Sequence, residues 1–68
     1  MATVAKITEI SSRSVKSFED AISGGIARAA KTVRNIESAW VKEMRVEVKK
    51  GKVTGYQVNM LLTFILEK

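Results

Sequence analysis

The sequence predicts an α+β fold with the element order β-α-β-β, in which one helix packs on one face of a three-stranded antiparallel sheet. Three patterns indicate this fold: an apolar stripe with helical spacing over residues 15–36, alternation over 39–49 and 52–66, and a Gly-containing pair between the alternating segments. With 68 residues and no linker-like stretch, the chain is predicted to form a single domain over 1–68.

The first strand is predicted over residues 3–11, where β-branched side chains dominate and polar residues are interspersed. The polar residues at 11–14 that follow are interpreted as the connection to the helix. This first strand is the shortest of the predicted strands, and its alternation is less regular than that of the two strands after the helix.

The helix is indicated most clearly, because apolar residues recur three or four positions apart. Ser17 followed by Asp20 resembles a capping box, with Asp in place of the usual Glu. Gly24 and Gly25 in mid-helix each cost about 1 kcal/mol relative to Ala, so they predict that the sheet or another subunit packs close to the backbone there. The stripe consists of Val15, Phe18, Ile22, Ile26, Ala29, Val33 and Ile36.

Alternation predicts a second strand over 39–49 and a third over 52–66, joined by a hairpin turn at Lys50 and Gly51 in which Gly supplies a positive φ. One face of the second strand is expected to carry Trp40, Lys42, Met44, Val46 and Val48. In the third strand, the face predicted to meet the helix carries Tyr56, Val58, Met60, Leu62, Phe64 and Leu66. The opposite face carries Gly55, Gln57, Asn59, Leu61, Thr63 and Ile65, and its apolar members predict an interaction surface.

Size and composition predict a homo-oligomer. Hydrophobic residues make up 46% of the chain, which is typical of a globular protein. A domain this short buries only about 60% of the surface that its unfolded chain exposes. Because Cys is absent, no disulfide can supplement the small core, and oligomerisation is the stabilising device that remains.

Several functions are disfavoured by what the chain lacks. Without Cys or His there is no Cys–His pair, no Ser–His–Asp triad and no usual transition-metal site, so we expect neither an enzyme nor a resident metal. Glu43 and Glu47 alternate with Arg45 and are interpreted as cross-strand charge pairs. The net charge of +5 comes from dispersed basic residues, which favours solubility or attraction for a small anion over nucleic-acid binding. No membrane span or signal-peptide core is recognisable, and we expect a cytoplasmic location.

Binding is the more plausible activity. Trp40 is either a core or interface residue, or a plate on which a planar ligand stacks. Gln57 lies on the face opposite the predicted core and offers both a donor and an acceptor. Together these two side chains could hold a flat heteroaromatic ring at a subunit boundary. Composition is compatible with both interpretations of Trp40.

Short motifs in a fixed order resemble the dodecin family of small flavin-binding proteins. They lie at 17–22 and 26–32 in the helix, at 41–43 with Arg45, and at 55–58 and 63–67 in the last strand. The resemblance covers nearly the whole chain. It implies a hollow dodecamer with the helices outside, and flavin pairs stacked between Trp residues near two-fold axes. It also implies flavin storage or sequestration without turnover, with FMN, riboflavin or FAD as ligand, and in some bacterial members coenzyme A.

The resemblance also implies roles for single residues. Gln57, which follows a Tyr, matches the family's amide ligand, and Arg45 matches a basic residue that approaches the ligand in bacterial members. The family's stacking Trp falls on Ser38, whereas Trp40 lies two residues later, on the same face of a regular strand but displaced by roughly 6 to 7 Å. Ile65 stands where some members that bind coenzyme A have Arg, so coenzyme A is less expected. The alternative is a dodecin-like shell that holds another small ligand or a metal ion, or that is purely structural.

Overall fold

The computed structural model describes residues 2–66 and confirms the predicted fold class. The three strands form one antiparallel sheet in the order β1-β3-β2, so the last strand is central. The helix α1 packs against β1 and β3. No helix in the described part of the chain is long and apolar enough to cross a membrane. The elements are β1 at Ala5–Ser14, α1 at Phe18–Ala29, β2 at Ile36–Lys49 and β3 at Lys52–Ile65.

The bounds of both outer strands differ from the sequence prediction, and β1 begins at Ala5 instead of residue 3 but runs on to Ser14. The residues at 11–14, interpreted as a connection, are the last four residues of β1, with Ser11 paired to Asn59 and Ser14 paired to Tyr56. The start of β2 lies at residue 36 instead of 39. The long central strand β3 supplies ladder partners for these segments, and pairing outweighs the weak strand propensity of Ser. The prediction of a polar connection at 11–14 was therefore wrong.

The N-terminus of α1 confirms half of the predicted capping box. The Ser17 side chain accepts a hydrogen bond from the backbone N–H of Asp20 at 3.0 Å. The Asp20 carboxylate does not return to Ser17 but accepts from the hydroxyl of Ser14 at 2.6 Å. That hydroxyl in turn accepts from the backbone N–H of Lys16 at 2.9 Å. The last residue of β1 is thereby tied to the first turn of the helix.

The helix is shorter than its apolar stripe. Val15 precedes α1 and is exposed, and the helix is capped at Ala30, before Val33. The chain then turns at Asn35, whose φ is 62°, and Ile36 opens β2. Residues 33–36 thus continue the apolar spacing without being helical, because a short chain returning to the sheet also brings apolar side chains towards the core. The prediction that the helical stripe runs over 15–36 was wrong at both ends.

The core lies between α1 and the central strand. Ala21 of the helix and Val58, Met60 and Leu62 of β3 are fully buried, which confirms the predicted helix-facing side of this strand at these positions. The prediction was wrong for Leu66, which lies beyond the end of β3 and is exposed. The close approach that the Gly pair predicts occurs at only one of its members. A Cβ on Gly25 would lie 2.8 Å from Cβ of Ser12 in β1, whereas a Cβ on Gly24 would meet nothing within 4 Å.

A β-bulge in β2 overturns the regular alternation that was predicted for this strand. Val41 pairs with Met60 and Glu43 pairs with Asn59, which leaves Lys42 as an extra residue. Beyond the bulge, even-numbered residues of β2 point to the opposite side of the sheet from those before it. Met44 and Val46 therefore lie on the helix side, whereas Trp40 lies on the side away from the helix. The turn after β2 has positive φ at both Lys50 (52°) and Gly51 (77°), the geometry of a type I′ hairpin, whereas positive φ was predicted for Gly alone.

Candidate binding face of the sheet

The face of the sheet that points away from α1 is called the open face here. Directly paired residues of neighbouring antiparallel strands project to the same side, so the register assigns each side chain to a face. The open face carries Ile7, Glu9, Ser11 and Arg13 from β1, Ser38, Trp40, Glu43, Arg45 and Glu47 from β2, and Gly55, Gln57, Asn59, Leu61 and Thr63 from β3. All four residues predicted as binding residues, Trp40, Gln57, Arg45 and Ser38, therefore lie on one face.

Hydrogen bonds hold the amide of Gln57 in one orientation. Its Nε2 donates to Oγ of Ser11 at 3.1 Å and, more weakly, to Oδ1 of Asn59 at 3.4 Å. Asn59 is itself fixed, because its Nδ2 donates to Oε1 of Glu43 at 2.9 Å. Both N–H groups of Gln57 are thus directed towards the protein. Its carbonyl oxygen has no partner among residues 2–66 and is available as an acceptor for a ligand N–H.

A groove lies beside this amide. Its volume is about 430 Å³, which is within the range of small-ligand sites. Arg45 lines the groove and is directly opposite Gln57 in the register. No acidic side chain of the described residues forms an ion pair with Arg45. The residues that line the groove are Glu43, Met44, Arg45, Gln57 and Asn59.

An ion pair crosses the central strand next to the groove. Nε of Arg13 in β1 donates to Oε1 of Glu47 in β2 at 2.9 Å, and the second guanidinium nitrogen contacts the same oxygen. Gly55 lies beneath the pair, and a Cβ there would be 2.8 Å from that carboxylate oxygen. The hydrogen bond from Arg13 lowers the pKa of Glu47, and the charges of Arg13, Lys49 and Arg45 add to this against an opposing effect of desolvation.

Trp40 stands further along the open face, directly opposite Leu61, and 70% of its surface is exposed. Ser38 occupies the next row, opposite Thr63, so the spacing of two residues does keep both on the same face. The rows of Trp40 and Gln57 are four residues apart on β3, which corresponds to about 13 Å. A ligand that contacts both must extend along the strand or lie between two subunits.

Ser11, Arg13, Glu47 and Asn59 complete the site. Glu43 and Glu47 were interpreted from the sequence as cross-strand charge pairs, and the pairing of Glu47 with Arg13 confirms this for Glu47. For Glu43 the interpretation was wrong, because its carboxylate accepts from Asn59 and forms no ion pair within residues 2–66. Asn59 lies two residues from Gln57 on an alternating strand, so its proximity followed from the sequence, although its role in orienting the amide did not. Ser11 and Arg13 were missed, because residues 11–14 were interpreted as a connection.

The fold and this polar, open sheet face define a small β-α-β-β protein with its helix on one side of the sheet and a candidate binding surface on the other. The dodecin family model matches residues 4–67, so the chain belongs to the dodecin family. It is 37% identical over 68 residues to the dodecin of Thermus thermophilus, covering 100% of this chain and 99% of that protein. Family membership indicates assembly from several copies and a binding or storage role.

Solved structures agree with this assignment. The dodecin from Streptomyces davaonensis superposes with a TM-score of 0.92 at 29% identity, and the match covers 100% of both chains. A calcium-chelating antigen from Mycobacterium tuberculosis, named calcium dodecin, superposes with a TM-score of 0.80 at 29% identity, covering 94% of this chain and 91% of that one. Proteins with this fold thus include one described by its calcium binding.

Proposed function

We propose that this protein binds and stores flavin, with FMN as the preferred ligand and its ring system stacked on Trp40. The observation that supports this most is the register of β2 and β3, which brings Trp40, Arg45 and Gln57 to one open face. A Trp that is 70% exposed in the isolated chain is a large apolar surface that a ring ligand or another subunit would cover.

Each side chain has a distinct chemical role in this proposal. Trp40 provides the flat apolar surface for stacking. Gln57 offers its free carbonyl oxygen to a ring N–H, since its own N–H groups are held by Ser11 and Asn59. Arg45 attracts the phosphate, which favours FMN over riboflavin, while FAD remains compatible. Ser38, one row beyond Trp40, provides a hydroxyl at the edge of the ring.

The proposed functional form is a hollow dodecamer with the helices outside and flavin pairs near the two-fold axes. Two properties of the subunit support an assembly of this kind. Among residues 2–66, only Ala21, Val58, Met60 and Leu62 are fully buried hydrophobic residues, which is a small core for an independent domain. The 13 Å between the rows of Trp40 and Gln57 also suits a ligand that is held by two subunits.

A second candidate is a dodecin-like shell that holds a different ligand. It is favoured by the displaced Trp, since Ser38 occupies the place that the family pattern gives to the stacking residue. Calcium is the ligand to compare first, because one relative is named for it. Within residues 2–66 no three acidic side chains are close enough together to hold a metal ion.

Flavin fluorescence tests the proposal. We expect the protein to quench the emission of FMN strongly at micromolar concentration, and Trp40→Ala to weaken binding about tenfold to a hundredfold, since stacking on an aromatic ring contributes about 1–3 kcal/mol. Val48→Ala is the matched control, because Val48 is an exposed apolar residue of the same strand. Unchanged FMN emission with the wild-type protein would contradict flavin storage and favour the second candidate.

A positional swap tests whether the displaced Trp weakens binding. The double substitution Ser38→Trp with Trp40→Ser returns the aromatic ring to the row of Thr63. If flavin lies in the family's usual place, FMN should bind the swapped protein more tightly. If the pocket has moved with Trp40, the swap should weaken binding as much as Trp40→Ala does. Native mass spectrometry of each variant verifies that the assembly is intact.

A further inference from the structure

We propose that Arg13 and Arg45 form an anion site that the carboxylate of Glu47 occupies as an internal ligand, and that the phosphate group of a ligand displaces this carboxylate. The site binds a phosphate or pyrophosphate group, either free or as part of a phosphorylated ligand. The proposal deepens the flavin-binding function where it concerns FMN, but the anion site itself does not depend on flavin.

The geometry places cations on both sides of the Gln57 amide. Arg13 of β1 and Arg45 of β2 are both directly opposite Gln57, so their backbones are about 10 Å apart across the central strand. Arg13 reaches over Gly55 to the carboxylate of Glu47, and the missing side chain at Gly55 provides the space. Glu47 lies on the same strand and face as Arg45, two residues away.

One carboxylate therefore faces an excess of positive charge. Arg13 contacts Glu47 directly, and Arg45 lies two residues from it on the same strand and face. The nearest other acid on the open face, Glu43, is engaged by Asn59. Two arginines beside one carboxylate leave an uncompensated positive charge. A phosphate dianion in the same place would neutralise more of that charge than a carboxylate does.

The internal ligand is easy to displace. The side chains of Arg13 and Glu47 are 52% and 42% exposed, and ion pairs at such exposure contribute little to stability. A guanidinium binds phosphate through two parallel hydrogen bonds, so Arg13 gains a stronger partner when Glu47 leaves. Glu47 can swing into solvent at the edge strand β2 without breaking the sheet.

This arrangement makes Glu47 a residue that sets ligand selectivity. A ligand without phosphate leaves the Arg13–Glu47 pair intact, so the anion site does not contribute to its affinity. A phosphorylated ligand has to compete with Glu47, so removal of that carboxylate should raise its affinity. The effect should be absent for riboflavin and present for FMN, pyrophosphate and inorganic phosphate.

Equilibrium dialysis with radiolabelled pyrophosphate at low ionic strength tests the anion site without flavin. We expect Glu47→Gln to bind pyrophosphate about tenfold more tightly than wild type, and Arg13→Gln to bind it severalfold more weakly. Both variants lose the same ion pair, so a purely structural role would move them in the same direction. Glu37→Gln, another exposed acid of β2, controls for net charge and should change affinity less than twofold.

The proposal is overturned if Glu47→Gln binds pyrophosphate no more tightly than Glu37→Gln, or if neither variant nor wild type binds it. A parallel titration with FMN and riboflavin separates this inference from the proposed function. Tighter pyrophosphate binding by Glu47→Gln with no binding of either flavin would leave the anion site standing and refute flavin storage. Higher FMN affinity with unchanged riboflavin affinity in Glu47→Gln would support both.

Discussion

The two faces of the central strand β3 differ as sharply as any two regions of this molecule. On the helix side, Val58, Met60 and Leu62 are fully buried. On the open face, the intervening Gln57 and Asn59 are partly exposed and are held in place by hydrogen bonds. One strand thus contributes the core with one set of alternate residues and the candidate binding surface with the other. Stability and binding should therefore be separable by substitutions at adjacent positions.

The largest effect on stability is expected from a substitution that leaves a cavity on the helix side of β3. Met60→Ala should destabilise the protein by about 2–5 kcal/mol, because it leaves a cavity in a fully buried core. Asn59→Ala, the neighbouring residue on the open face, should cost at most about 1.5 kcal/mol, since it removes only its side-chain hydrogen bonds. Urea denaturation at equal protein concentration measures both values. Equal losses of stability in the two variants would contradict the assignment of the core to one face of β3 and the binding surface to the other.

A pair of glycine substitutions sharpens the comparison at the helix. Gly25→Ala should destabilise the protein by about 1 kcal/mol, because the clash with Ser12 outweighs the better helix propensity of Ala. Gly24→Ala should stabilise it by about 1 kcal/mol, since a Cβ there is unobstructed. Thermal or urea unfolding of the two variants gives the sign of each change in stability. Destabilisation by Gly24→Ala would reveal that another subunit packs against this side of the helix.

The smallest expected effect is the pH dependence of stability that comes from the Arg13–Glu47 ion pair on the open face. The pKa of Glu47 is lowered in the folded state, chiefly by the hydrogen bond from Arg13, so the ionised pair stabilises the protein above the usual pKa of Glu. This contribution is lost as the pH falls through the lowered folded value. The wild type should therefore be more stable than Glu47→Gln at about pH 7, and the difference should vanish well below about pH 4. Urea midpoints across this range measure it, and a difference that grows towards acid would contradict the pairing.

Much of the fold was predictable because its signals are local. The alternation in β3 identified the buried Val58, Met60 and Leu62, and the apolar spacing located the helix. The ends of these elements were not predictable, because they depend on pairing with a distant segment. Residues 11–14 carry no strand signal of their own and become strand only because β3 is long enough to pair with them.

Only some members of the candidate site were predictable, since Ser11 and Arg13 were missed, and its geometry was not. Regular alternation places Trp40 and Arg45 on opposite faces of β2, and they share the open face with Gln57 only because the bulge at Lys42 exchanges the faces of this strand. A bulge adds one unpaired residue without a distinctive local sequence, so alternation alone could not locate it. The ion pair of Arg13 with Glu47 joins two edge strands across a third and follows only from the register.

Native mass spectrometry of the protein saturated with FMN tests the central claim, that the open face is a flavin-binding surface of an assembled protein. We predict a dodecamer that carries FMN, and a dodecamer of Trp40→Ala that has lost most of it. Both subunit number and bound flavin are then read from one particle mass. A dodecamer that carries no FMN, or as much FMN in Trp40→Ala as in the wild type, would contradict the role assigned to the open face.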